Sequence, residues 1–168
     1  MAKTKKPNGV AGEAWLTREL YDDKNIQHAA TRDGYGEGLV DAGRQNKNVI
    51  VLCADVTEST RCAQFKKNFP NRFVQIGVSE QSMPSIASGM SFAGKIPFIN
   101  AYASFSPGRN WEQIRTCVAL QKANVKVVGS HAGVNVGEDG ATHQMLEDIA
   151  LMRVLPNMNI VVDRKSVV

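Results

Sequence analysis

The chain has 168 residues, 43% apolar and 21% charged, which suits one soluble globular domain with its own core. Its net charge of +4 comes largely from Lys3, Lys5 and Lys6 near the start and Arg164 and Lys165 near the end, so the basic balance gives no argument for a nucleic-acid partner. No apolar run approaches the ~20 residues a bilayer requires, and MAKTKKPNGVAGEAW lacks the apolar stretch of a signal peptide. Cys53, Cys62 and Cys117 are odd in number and without metal-type spacing, which fits incidental thiols in a reducing, cytoplasmic setting.

Residues 1–30 read as a polar leader and N-terminal helix. Helical spacing and short β-rich runs then alternate. A helix is predicted over 33–46, a strand over 48–54 (NVIVLCA), a helix over 60–69 and a strand over 72–77 (RFVQIG). A helix over 80–94, a strand over 97–102 (PFINAY), a helix over 110–122 and a strand over 125–131 (VKVVGSH) follow. A last helix over 143–155 leads to a fifth strand over 157–162 (NMNIVV). Residues 163–168 are expected to fall outside the domain as an artefactual or disordered tail, because DRKSVV is what a common sequencing adapter encodes. Apolar strands each reached through a helix predict an α/β fold over 31–162: a three-layer α/β/α open sandwich with a mostly parallel sheet.

Ligands of such sheets gather beyond the carboxyl ends of the strands. Here those ends are ADVTEST (54–60), GVSEQ (77–81), AYASFSPGR (101–109) and SHAGVNVGEDGATH (130–143), and they hold most of the unusual chemistry. Glu80 opens an apolar helix. It is either a first-turn acid that favours the helix dipole or, if buried, a carboxyl disposed to keep its proton. Tyr102 and Phe105 are core or lid aromatics, or a stacking platform for a flat heterocycle. His131 and His143, two of the three histidines, flank Glu138, Asp139 and three glycines, a poor composition for a core segment. That loop is a polar surface turn or a site. Its spacing is not that of a zinc site, and neither a phosphate loop, a GxGxxG turn nor a GxSxG elbow occurs.

IGVSEQSMPSIASGMSFAGKIPF, RNWEQIR and GSHAGVNVGEDGATHQMLEDIALMRVLPNM, taken in order, resemble the pyrimidine-binding domain of transketolase, a thiamine-diphosphate enzyme. The resemblance runs from about Arg32 to Asn159. It implies that Glu80 hydrogen-bonds the cofactor's aminopyrimidine nitrogen and that Tyr102 and Phe105 surround the ring, with Gly108 standing where some members carry a third aromatic. It further implies that His131, Asp139 and His143 reach a sugar substrate, that Arg32 and Ser59 hold its phosphate, and that Asp55 lies at a subunit interface near the cofactor. Val162 departs from a family arginine that contacts the same phosphate.

Mg²⁺ and the diphosphate would belong to a separate N-terminal transketolase chain. Its Gly-Asp-Gly signature does not occur here, so this chain is expected to be inactive alone, to self-associate and to form the C-terminal subunit of a split, truncated enzyme acting on sugar phosphates. A 1-deoxyxylulose-5-phosphate synthase-like transferase and a non-catalytic association module are the alternatives.

Overall fold

A computed structural model describes residues 30–162. The expected tail, and the leader up to residue 29, lie outside the described residues. Arg32 to Val162 form one compact unit.

Helix α1 (Thr31–Gln45) carries Asp33 in its first turn and Arg44 in its last, each favourable to the helix dipole. It buries Gly36, Leu39, Val40 and Gly43, positions three, four and seven apart on one face. A side chain at Gly43 would come within 2.6 Å of the Phe65 ring, so glycine lets α1 lie against helix α2 (Ala63–Asn68) despite its entropic cost.

Strands β1 (Val49–Cys53), β2 (Phe73–Gln75), β3 (Ile96–Tyr102) and β4 (Lys126–Ser130) form one sheet in the order β2-β1-β3-β4, every pair parallel. Side chains of β1 alternate between its faces. Val49 and Val51 pack with Leu39, Val40, Cys62 and Phe65 of the α1–α2 side. Ile50 and Leu52 pack with Met83, Ala87, Ile114 and Val118 on the other. Helices thus cover both faces, giving the expected three layers.

On the second face, helix α3 (Ser82–Phe92) accepts Pro84 in its first turn and is followed by Gly94 at φ +80°, a conformation open to glycine. Helix α4 begins as a short α-turn (Trp111–Gln113) and widens into a π-helix (Ile114–Ala119) that buries Ile114, Val118 and Ala119. The Trp111 indole N–H donates to the Leu151 carbonyl at 2.7 Å and ties α4 to helix α5 (Asp148–Arg153).

Two expectations are corrected. Residues 157–162 form no strand: Asn157 turns at φ +63°, and Val161 and Val162 are exposed. β-branched residues favour extended backbone, but a strand also needs a neighbour for its N–H and C=O groups, and none pairs with it among the described residues. The helix expected from 143 begins only at Asp148. Met145 instead exchanges two backbone hydrogen bonds with Gly133, at 2.6 and 3.1 Å, which uses groups a helix would need.

Candidate functional site

The parallel register brings four strand ends to one rim. Cys53 lies opposite Gln75 and Asn100, and Tyr102 opposite Ser130. The chain leaves β2 through Gly77 at φ +74° and delivers Glu80, only 3% exposed, just before α3. The carboxylate Oε2 of Glu80 accepts from Arg109 Nη1 at 3.1 Å, and its carbonyl accepts from Asn110 Nδ2 at 3.0 Å. Asn110 Nδ2 also donates to Ser106 Oγ at 3.1 Å. Asn110 is fully buried, and its Oδ1 has no hydrogen-bond partner among the described residues. Isolated buried carboxylates are costly, and these contacts compensate Glu80, which takes the buried one of the two placements the sequence left open.

Beside it, Tyr102 and Phe105 stack with centroids 6.1 Å apart and planes within 12°. His131 lies 4.2 Å from the Tyr102 ring, and His143 meets the Phe105 ring edge-on at 5.1 Å. Arg32, from the first turn of α1, reaches His131 Nε2 at 3.3 Å, while His131 Nδ1 contacts Ser130 Oγ at 2.9 Å. An arginine only donates, so Nε2 is the acceptor and the neutral ring carries its proton on Nδ1. Burial, then the Arg32 charge, push the His131 pKa below the usual histidine value, with Asp139 opposing them. A continuous line of contacts therefore runs Glu80–Arg109–Phe105–Tyr102–His131–Arg32.

The remaining candidates are less engaged. Among the described residues the His143 side chain hydrogen-bonds only to its neighbour's hydroxyl, Nδ1 to Thr142 Oγ1 at 2.8 Å. Asp139 is exposed on a loop with Gly137 at φ +89° and Gly140 at φ +68°. Ser59 donates to the Val56 carbonyl in its own turn, and exposed Asp55 takes φ +60° with its N–H donating to Gln75 Oε1. Among the described residues, no hydrogen bond, ion pair or ring contact links Ser59 or Asp55 to the Glu80–aromatic group. Cys53 and Cys62 are buried free thiols and Cys117 is half-buried.

Reasoning from sequence missed Arg109 and Asn110. Both stand in a strand-end loop directly before a helix, and a cation in that position was the available signal. At Gly108 the backbone leaves no room for a side chain: a Cβ there would lie 2.2 Å from the Ser104 carbonyl oxygen.

Residues 27–165 match the family model described as transketolase, pyrimidine binding domain. The chain belongs to the transketolase pyrimidine-binding domain family. A Methanocaldococcus jannaschii protein whose name describes a transketolase C-terminal section is 52% identical to the domain over 130 residues, covering 77% of this chain and 41% of that protein. One of the subunits of an apulose-4-phosphate transketolase from Phocaeicola vulgatus is 36% identical over 132 residues, covering 79% and 42%. A solved split-gene transketolase, an inactive beta4 tetramer, superposes with a TM-score of 0.67 at 46% identity, covering 78% of this chain and 42% of that one. The chain thus spans about two fifths of the length of these relatives.

Proposed function

We propose that this chain is the pyrimidine-binding part of a thiamine-diphosphate-dependent transketolase, which moves a two-carbon ketol unit from a ketose phosphate to an aldose phosphate. The observation that carries the reading is a buried carboxyl, Glu80, beside the stacked Tyr102–Phe105 pair at the rim of a parallel sheet. An aminopyrimidine needs a hydrogen-bonding group at its nitrogen edge and an apolar surface for its face, and these residues fit both needs. When bound, thiamine diphosphate supplies the reactive carbon that carries the fragment. Glu80 holds the ring nitrogen and exchanges a proton with it, while Tyr102 and Phe105 orient the ring and exclude water.

His131, in its neutral Nδ1–H form, and His143 face the sugar. Asp139 binds a hydroxyl next to the sugar carbonyl, Arg32 and Ser59 bind the phosphate, and Asp55 borders a subunit contact. Among the described residues no three His, Cys, Asp or Glu side chains converge as metal ligands. Mg²⁺ and the diphosphate are assigned to a separate N-terminal transketolase subunit, and the names of the two relatives support a division of the enzyme between two chains. Self-association completes the assembly. We place it in the cytoplasm; no described helix is long and apolar enough to cross a membrane.

The test is reconstitution with the diphosphate-binding chain of a split transketolase, thiamine diphosphate and Mg²⁺. Thiamine-dependent ketol transfer from xylulose phosphate is expected from the mixture and not from either chain alone. No transfer in any mixture would leave the domain as an association module and overturn the enzymatic reading.

A further inference from the structure

Glu80 and Phe105 meet at a single side chain. Arg109 donates from Nη1 to Glu80 Oε2 at 3.1 Å, and its guanidinium carbon lies 4.5 Å from the centroid of the Phe105 ring. A guanidinium is flat and delocalised, presents N–H groups at its edge and stacks on aromatic faces. A protonation-matched aminopyrimidine would make the same two contacts, with its nitrogen edge on the carboxyl and its face on the ring. Two flat groups cannot share one oxygen of Glu80 and one face of Phe105.

Burial is also unequal. The Glu80 side chain is 4% exposed and that of Arg109 is 47% exposed. Among the described residues the guanidinium has no hydrogen bond other than that to Glu80. The backbone beneath it is pinned: the Gly108 N–H donates to the Ala103 carbonyl at 3.0 Å, the Arg109 N–H to the Phe105 carbonyl at 3.2 Å, and the Asn110 side chain is buried. The backbone is thus held by hydrogen bonds while the arginine side chain is half exposed.

We propose that Arg109 occupies the pyrimidine seat of the unliganded chain and must swing into solvent before the cofactor ring enters, so that this one side chain sets the affinity of the seat. The inference rests on the assignment of Glu80 and Phe105 given above, and it concerns regulation of that same site. It is opposite in sign to a role for Arg109 as a permanent wall, because an occupant competes with the ring whereas a wall helps it.

The experiment is titration of thiamine diphosphate, with Mg²⁺, into the two-chain mixture, read by near-ultraviolet circular dichroism and by calorimetry. Arg109→Ala should bind at least fivefold more tightly than the wild type. Arg109→Lys keeps the stem and charge but loses the flat fork, and should be tighter by at least twofold. In a Glu80→Gln background, where the ion pair is already lost, the gain from Arg109→Ala should shrink below twofold. Far-ultraviolet dichroism checks that each variant folds, and the lysine variant decides the matter if the alanine variant does not. Wild-type binding that Phe105→Ala weakens but that neither Arg109 variant tightens would overturn this inference alone. No binding by any chain would remove the pyrimidine reading and this inference with it.

Discussion

Glu80 and Asp139 are both carboxylates carried on loops at the same rim, yet the protein treats them differently. Glu80 is 3% exposed, reached by Arg109 and held through its backbone by Asn110. Asp139 is exposed between two positive-φ glycines, and its side chain accepts no hydrogen bond among the described residues. A short turn between β2 and α3 fixes the first, whereas a long loop between β4 and α5 carries the second. Under the proposed function this contrast is the expected one: the acid that would meet a rigid flat ring is held in a braced turn, and the acid that would read a hydrated ligand sits on an adaptable loop.

Exchanging the two acids' chemistry is the strongest way to break the contrast. In the reconstituted enzyme, Glu80→Gln should lower kcat by about 100-fold or more, the range for loss of a positioned proton-transfer group. Activity within a few-fold of the wild type would remove Glu80 from the chemistry. The brace beneath it comes next. Asn110→Ala should cost about 1–3 kcal/mol of stability by denaturant unfolding, because the Glu80 carbonyl loses a buried donor; a loss below 0.5 kcal/mol would mean that water replaces the amide without penalty. Asp139→Asn should lower kcat/KM about tenfold (~1.4 kcal/mol) while leaving cofactor affinity unchanged. A matching loss of cofactor affinity would merge the two regions into one.

The smallest effect expected is in the pH dependence of stability. The His131 pKa is held below its unfolded value of about 6.5, so between the native and unfolded values the unfolded chain binds more protons. Its contribution is therefore intact above about pH 6.5 and is lost as the pH falls through that window. His131→Gln should flatten this part of the stability–pH profile, and an unchanged slope would place the histidine outside it.

The legible and illegible parts of the molecule divide along similar lines. β1 and β3 could be read because β-branched, apolar runs had to be buried on both faces of a parallel sheet. α1 and α3 showed through helical spacing. The run NMNIVV has the same composition as a strand but no paired neighbour among the described residues, and partners are not written in local sequence. Likewise, Glu80 and the Tyr102–Phe105 pair stood out by position at strand ends. The Arg109–Glu80 pair spans 29 residues, and the Arg32–His131 contact spans 99. Only the parallel register brings such residues together.

The central claim is that Glu80, Tyr102 and Phe105 seat an aminopyrimidine ring. It is tested most directly by titrating 4-amino-5-hydroxymethyl-2-methylpyrimidine into the isotope-labelled chain and following its amide and aromatic resonances. The account predicts saturable shifts concentrated at Glu80, Tyr102, Phe105 and Arg109. Shifts confined to the acidic surface cleft lined by Asp33, Glu37, Glu58 and Arg61, with Glu80, Tyr102, Phe105 and Arg109 unmoved, would contradict it.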